Sequence, residues 1–172
     1  MIRQLQRVTS EYIETEDRIR LNGLANQAVT SIWLSRRLAD RLISPLTQWL
    51  EKQQPQPTAE ERENFLNFAQ HAAQEATRQE ASPPVTAEKQ ASESWLALTI
   101  QVQSDTQALT MIFCGTDDPQ KIALKMQPDQ LRQWLDILYR TYLRAEWPIE
   151  LWPDWIKNNT PPSTGRTNHR MH

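Results

Sequence analysis

The feature that most constrains the fold of this chain is a ββα pattern that occurs twice. In the first copy an alternating strand ends at Gly23, a second strand follows, and a helix begins after Ser35. In the second copy Gly115 and Gln127 hold the corresponding positions, at the same interval. The apolar positions of the two helices match with one residue of slip: Leu38, Leu42, Leu46, Trp49 and Leu50, then Leu131, Leu135, Tyr139, Tyr142 and Leu143. This predicts an internal duplication with a pseudo-twofold axis; two unrelated ββα units are the alternative.

The first copy is predicted to contain three strands. Residues 11–14 form a short one, residues 17–24 alternate between apolar and polar side chains, and residues 28–34 have two partly apolar faces. We predict a turn at Asn22-Gly23, because both residues tolerate positive φ.

The second copy shows the same order. Strict alternation predicts one continuous strand with a buried face, formed by Leu96, Leu98, Ile100 and Val102. Residues 109–114 and 122–126 form the next two strands, separated by a turn at residues 115–119. Pro128 suits the first helical position, and the helix is predicted to end at Ala145.

The predicted order is therefore βββα, a lone helix, then βββα. Short turns favour antiparallel hairpins, so we predict an α+β fold of antiparallel strands with packed helices. The predicted organisation has four parts: residues 1–52, the first βββα unit; 53–94, a linker, the lone helix and a proline-containing linker; 95–156, the second βββα unit and a tryptophan-rich strip; and 157–172, a disordered tail.

Two helix starts carry capping signals. Ser35 can cap the first helix, which contains Pro45 and is predicted to kink there or to form two shorter helices. Thr58 and Glu61 have capping-box spacing at the start of the lone helix. The predicted apolar face of that helix, which should cover another part of the protein, consists of Phe65, Phe68, Ala69, Ala72 and Ala76.

Composition limits the class of protein. The net charge of −2 and the pI of about 5.9 provide no field that would attract nucleic acid or anionic lipid. The single cysteine indicates a reducing compartment, and residues 1–7 lack the apolar core of a secretory signal. We therefore expect a cytoplasmic protein without a membrane span. Residues 52–57, residues 81–94 and the tail account for part of the low mean hydropathy of −0.70.

No catalytic, metal or cofactor site is evident in the sequence. The chain has three histidines and one cysteine: His71, His169, His172 and Cys114. His71 is isolated, and Cys114 at the end of an apolar strand is interpreted as a small core residue. Asp117 and Asp118 are explained by turn chemistry. The three glycines of the chain are too far apart for a phosphate loop.

A basic helix start supports one alternative function. Arg36 and Arg37 occupy the first helical turn, where the positive end of the dipole disfavours cations, and Arg41 follows on the same helix. These three residues are predicted as a contact for an anion, either an acidic partner or a phosphate backbone. A solvated helix surface is the simpler interpretation.

The richest segment outside the repeat is the tryptophan strip, residues 146–156. It holds three of the seven tryptophans, and Pro148 and Pro153 prevent a regular helix. Because exposed tryptophan wastes a large apolar surface, the strip must pack either on its own domain or on another protein. The predicted partner interface consists of Trp147, Leu151, Trp152 and Trp155, with Trp49 as a receiving surface.

These observations predict a non-enzymatic protein–protein interaction module, such as an adaptor, an assembly factor or a small subunit of a larger complex. A nucleic-acid-associated accessory factor that uses the basic helix start is the alternative, and an enzyme with a scattered site is the third hypothesis. Homodimerisation is compatible with all three. The sequence does not name the partner.

Overall fold

A computed structural model describes residues 2–53, 58–79, 83–87 and 93–158. The strands are β1 (Arg3–Gln4), β2 (Arg7–Ile13), β3 (Arg18–Ala25), β4 (Ala28–Leu34), β5 (Glu93–Leu96), β6 (Thr99–Ser104), β7 (Leu109–Cys114) and β8 (Lys121–Met126). The helices are α1 (Arg36–Lys52), α2 (Ala59–Gln79), α3 (Pro128–Ala145) and α4 (Asp154–Lys157). The α+β class and the two similar units are confirmed. The two long repeat helices begin at Arg36 and Pro128, and the strands that precede them end at Leu34 and Met126. Each helix therefore begins at the same distance in sequence after its preceding strand.

The strands form two mixed four-stranded sheets, in the orders β1-β8-β7-β6 and β2-β3-β4-β5. Strands β2, β3 and β4 are antiparallel, as are β6, β7 and β8, which agrees with the short predicted turns. The fourth strand of each sheet comes from the other unit, because β1 pairs in parallel with β8 and β5 pairs in parallel with β4. The two units thus exchange their first strands, and each has one strand more than the sequence pattern predicted.

The first exchange occurs between β1 and β2. The amide of Leu5 donates to the carbonyl of Ala123 at 2.8 Å, in the sheet of the second unit. The next amide, that of Gln6, donates to the carbonyl of Leu24 at 2.8 Å, in the sheet of the first unit. The chain therefore passes from one sheet to the other within a single residue step.

The second exchange occurs at the equivalent place in the repeat. The amide of Ala97 donates to the carbonyl of Trp33 at 2.9 Å, and the amide of Leu98 donates to the carbonyl of Cys114 at 2.8 Å. The predicted single strand over residues 96–102 is therefore wrong, because the chain changes sheets at this point. Its alternating side chains also do not form a buried face: Leu98 is 52% exposed and Val102 is 36% exposed.

Gly23 marks the first exchange rather than a turn. The predicted turn at Asn22-Gly23 is wrong, because β3 continues through both residues to Ala25 and the positive φ angles fall at Asn26 and Gln27. A Cβ atom added to Gly23 would overlap Leu5 Cδ2 and would lie 3.1 Å from Leu5 Cδ1. Glycine at this position lets the side chain of Leu5, the residue after β1, lie directly over the backbone of β3, and any larger residue would force Leu5 to move.

Gly115 holds the equivalent position beside the second exchange. A Cβ atom added there would lie 3.0 Å from Trp95 Cε3 on β5 and would also meet Gln120. The amide of Gly115 donates to the carbonyl of Gln120 at 2.8 Å, which closes the predicted turn over residues 115–119.

The helix ends follow local sequence signals. Ser35 Oγ accepts from the amide of Leu38 at 3.3 Å, and α3 begins at Pro128 and ends at Ala145 as predicted. The amide of Glu61 donates to Thr58 Oγ1 at 3.1 Å at the start of α2. Of the two predicted effects of Pro45, division into two shorter helices is wrong, since α1 continues as one helix through Pro45, and a kink there stays a prediction.

Each repeat helix reaches the other unit. Helix α1 contacts β6, and Trp49 Nε1 at its end donates to the carbonyl of Asp105 in the β6–β7 turn at 3.3 Å. Helix α3 contacts β2, and Tyr142 in α3 donates to Asp40 Oδ1 in α1 at 2.6 Å. Together with the exchanged strands, these contacts give a single hydrophobic core shared by the two units.

The lone helix α2 packs on α3 and α4 through a different face from the one predicted. Its buried residues are Leu66, Gln70, Ala73 and Gln74. The predicted covering face is wrong, since Phe68 is 74% exposed and Phe65 is also exposed. Two glutamines take the buried positions because their amides find partners on α3, which an apolar pattern cannot reveal.

Part of the predicted mobile linker is ordered against β2. The amide of Val85 donates to Thr9 Oγ1 at 2.8 Å, Arg7 Nη2 donates to the carbonyl of Pro83, and the Val85 side chain is buried. Glu93 and Ser94, also placed in the linker, belong to β5. Residues 54–57, 80–82 and 88–92 lie outside the described residues, as do residues 159–172 of the predicted tail.

Candidate protein-interaction surfaces

The tryptophan strip packs on its own domain in the described structure. The side chains of Trp147, Trp152 and Trp155 are buried, and so is that of Trp49. Leu151 is the exception, with 58% of its surface exposed. Of the two sequence alternatives, the observed contacts are those of intramolecular packing. Contact between this strip and a partner stays a prediction, and Leu151 is the side chain of the set that a partner could reach directly.

Trp147 joins the end of α3 to the β2–β3 turn. Its Nε1 donates to Asp17 Oδ1 at 2.9 Å, and the hydroxyl of Tyr12 donates to the same oxygen at 2.6 Å. The Tyr12 and Trp147 rings also pack edge to face, with centroids 5.7 Å apart. The two donors, Tyr12 first, lower the pKa of Asp17, and the same bond raises the pKa of Tyr12 to about 12. Asp17 is therefore a structural acceptor that joins the β2–β3 turn to the tryptophan strip.

Trp152 and Trp155 belong to the hydrophobic core and contact α3 and α1, respectively. Trp152 packs edge to face on Tyr139 and Tyr142, with centroids 5.2 Å away in both cases. Trp155 Nε1 donates to Glu51 Oε1 on α1 at 3.1 Å. Replacing either ring would therefore remove part of the hydrophobic core. If such a variant lost a partner, the loss could result from unfolding as readily as from damage to an interface.

The predicted anion contact lies on the exposed side of α1. Arg36, Arg37 and Arg41 are all exposed, and Arg36 Nε lies 3.6 Å from Asp40 Oδ2. Arg41 lies beside Leu38 and Leu42 and faces β6, the edge strand of the sheet in the second unit. Arg36 instead contacts Asp40 of its own helix. The role of these residues as an anion contact stays a prediction.

The remaining polar candidates are separated in the structure. Cys114 is half-buried at the end of β7, where its thiol lies 3.8 Å from the carbonyl of Ile112. Asp117 and Asp118 are exposed in the β7–β8 turn, and His71 is exposed on α2. Within the described ranges, no three His, Cys, Asp or Glu side chains are placed to hold a metal ion, and no helix is long and apolar enough to cross a membrane.

The first exposed apolar surface is the groove beside α2, which we call the α2 groove. It encloses about 470 Å³ and is lined on the α2 side by Phe65, Phe68, Ala69, Ala72, Ala73 and Ala76, and on the α3 side by Asp129, Gln130 and Gln133. The alanines contribute only methyl groups to this lining, and the two phenylalanines are its large apolar side chains. Exposed apolar patches of this kind mark sites of association in soluble proteins.

The polar contacts between α2 and α3 fix the orientation of the groove. Gln70 Nε2 donates to the carbonyl of Arg132 at 3.0 Å, and Gln74 Nε2 donates to Asp136 Oδ1 at 2.9 Å. Because these contacts advance together along both helices, the two helices run in the same direction. Burial raises the pKa of Asp136, although Arg140 Nη2 lies 3.1 Å from its Oδ2. Burial also lowers the pKa of Arg132.

The second exposed apolar surface is the outer edge of β6. Leu98, Ile100 and Val102 face a groove of about 350 Å³, closed on its other side by Leu38, Arg41, Leu42 and Pro45 of α1. Strand β6 is the last strand of its sheet, and all its side chains are exposed or half-buried. Its alternating pattern was recognised in the sequence, but as a buried strand.

Comparison with known proteins finds no matching family model, no matching curated protein and no matching solved structure. The function of this chain must therefore be argued from its own surfaces.

Proposed function

We propose that this chain is a non-enzymatic protein–protein interaction module, an adaptor, assembly factor or small subunit, that binds an amphipathic helix of another protein in the α2 groove. The observation that carries the proposal is the exposure of Phe68, of which 74% is accessible beside the less exposed Phe65 on the same side of α2. A large aromatic side chain on a helix surface costs solubility without adding to the core, so its use is best explained by a partner.

The position of α2 in the fold supports the same proposal. The strands and the helices α1 and α3 belong to the repeat and contribute most of the shared core, to which α2 adds Leu66. Helix α2 lies between the two copies in sequence and packs on α3 through only one side. Its neighbouring side, with Phe65 and Phe68, contributes to no core cluster in the described part of the chain.

The shape and charge of the groove define the class of partner. The groove lies between two helices that run in the same direction, and alanine and phenylalanine side chains line its α2 side. Such a groove suits a helix whose apolar residues recur at i, i+3, i+4 and i+7. Asp129 lines the groove on the α3 side, and the exposed Glu61 lies one helical turn before Phe65 on the same face of α2. A partner helix with basic residues at one end would complement this charge.

The test is a quantitative copurification from native lysate with three full-length proteins: wild type, Phe68→Glu and His71→Glu. Both substitutions introduce an acid at an exposed position of α2, but His71 does not line the groove. We expect Phe68→Glu to lose a defined partner that wild type and His71→Glu retain. The partner's amphipathic segment, made as a peptide, should bind wild type and not Phe68→Glu. Retention of every partner by a folded Phe68→Glu variant would contradict the proposal.

A further inference from the structure

Strand β6 lacks the features that usually protect the edge of a sheet. Exposed edges are commonly guarded by charged side chains, proline, bulges or a covering segment. The six residues of β6, Thr-Ile-Gln-Val-Gln-Ser, include no charge and no proline. No strand among the described residues pairs with its outer side. On the face directed towards α1, Ile100 and Val102 continue the apolar surface of Leu98.

The equivalent edge in the first unit is treated differently. Strand β2 carries Arg7, and the segment at residues 83–87 lies against it through hydrogen bonds from Val85 to Thr9 and from Arg7 to Pro83. Tyr12 on the other face of β2 is packed against Trp147. The chain thus places its own residues against one end of the β2 edge, at Arg7 and Thr9, while no described segment lies against the β6 edge in this way.

The sequence of β6 is complementary to itself. In an antiparallel pair of two β6 strands centred on Gln101, Ile100 of each copy lies opposite Val102 of the other, and Thr99 lies opposite Gln103. Directly opposite residues share a face, so this register pairs the central apolar residues on one face and uncharged polar residues on the other, while Leu98 lies opposite Ser104. No like charges meet along the strands.

We infer that two copies of this chain associate through β6, in an antiparallel strand pair with a twofold axis at Gln101. The pair joins the two four-stranded sheets into one continuous sheet and covers Leu98, Ile100 and Val102. Each copy contributes the same patch, which is the closed, isologous arrangement typical of homodimers. This inference goes beyond the proposed function and uses a different surface, because the α2 groove takes no part in the strand pair.

The first experiment measures molar mass by light scattering over a concentration series. The wild type is expected to approach twice the chain mass of 20.1 kDa. Val102→Glu should weaken association by at least about tenfold, because the introduced carboxylate would lose water at the strand pair, and an ion pair with the exposed Arg41 in the same groove would return only a fraction of that cost. Gln103→Glu adds the same charge on the opposite face of the same strand and should remain dimeric.

The second experiment tests the register directly by disulfide formation in a Cys114→Ser background. Gln101→Cys should form a covalent dimer under mild oxidation, because residues opposite each other in an antiparallel pair have Cα atoms about 4.5–5.5 Å apart, within disulfide reach. Gln103→Cys should not, since residue 103 lies opposite residue 99 of the other copy in this register.

A wild-type protein that is monomeric at every concentration would overturn the inference. A dimer that survives Val102→Glu and gives no disulfide at position 101 would also overturn it, and loss of that dimer in Phe68→Glu would assign association to α2 instead. The two proposals fail separately: Val102→Glu should still capture the helical partner, and Phe68→Glu should still form the strand-paired dimer.

Discussion

The contact between Gly23 and Leu5 provides the sharpest prediction about the fold, because it exists only if the two units exchange their first strands. Gly23→Ala should destabilise the protein, although alanine normally suits a strand better than glycine. The added methyl group overlaps Leu5, and Leu5 is itself buried. Overpacking of this kind costs about 1–3 kcal/mol, and the lower entropy of the unfolded alanine chain returns about 0.5–1 kcal/mol. The net loss is expected within about 0–2.5 kcal/mol, with a central value of about 1 kcal/mol.

The partner substitution should reverse much of this effect. Leu5→Ala alone removes a buried leucine and should cost about 2–5 kcal/mol, the range for a large-to-small core change. In the double variant the methyl group at position 23 enters the space that Leu5 leaves. The combined loss should therefore be smaller than the sum of the single losses by about 1–2 kcal/mol, within the range measured for contacting residues.

Urea unfolding followed by tryptophan fluorescence measures all four free energies of unfolding in this cycle. Gly115→Ala combined with Leu5→Ala is the matched control, because a Cβ at Gly115 meets Trp95 and Gln120 instead of Leu5. That pair should be additive within about 0.5 kcal/mol. Additivity of Gly23→Ala with Leu5→Ala would refute the strand crossing.

Two further predictions concern the tryptophan strip. Trp152→Ala should lower the free energy of unfolding by about 3–5 kcal/mol, because Trp152 is only 2% exposed. Leu151→Ala should change it by no more than about 0.5 kcal/mol, because Leu151 is 58% exposed. Denaturant titration measures both values, and equal losses in the two variants would contradict this prediction. The second prediction concerns pH, because the pKa of Asp17 is lower in the folded protein than in the unfolded chain. The stability that ionised Asp17 contributes is therefore fully present above the unfolded pKa of about 4, and it is lost as the pH falls through the lower folded pKa. The acid limb of a plot of unfolding free energy against pH should therefore be shallower for Asp17→Asn, and an unchanged limb would show that the contact with Tyr12 and Trp147 does not favour the ionised form.

The sequence predicted the parts of the fold that local chemistry determines. Ser35 caps α1, Pro128 begins α3 and Ala145 ends it, because capping hydroxyls, proline and turns act within a few residues. The antiparallel pairs within each unit were also predicted, since short turns allow little else. Each of these features depends on residues that are close together in the chain.

The exchange of strands could not be predicted in this way. Strand β1 has only two residues, and its parallel pairing with β8 rests on backbone hydrogen bonds between distant parts of the chain. The repeated glycines carried the signal, but Gly23 was interpreted through turn chemistry because the approach of Leu5 is invisible in one dimension. In the same way, the alternation at residues 96–102 could not reveal that the chain changes sheets at Ala97.

The candidate surfaces were identified mainly from the exposure of individual side chains in the structure. Apolar periodicity identified Phe65 and Phe68 as one face of α2, but it could not show that Gln70 and Gln74 would occupy the interface with α3. Conversely, the tryptophans of the strip were recognised as residues that must be covered, and the covering surface belongs to the same chain. Periodicity shows which side chains share a face, whereas tertiary contacts decide which face is exposed.

The central functional claim is that a partner helix lies in the α2 groove, and site-specific photo-crosslinking in intact cells tests it most directly. A photoreactive phenylalanine analogue would replace Phe68 in one protein, His71 in a second and Leu151 in a third. All three positions are exposed, but only Phe68 lines the groove. We predict strong crosslinks from position 68 to a helical segment of one protein, with little from positions 71 and 151. Crosslinks from position 151 without any from position 68 would contradict the proposed site and favour the tryptophan strip as the interface.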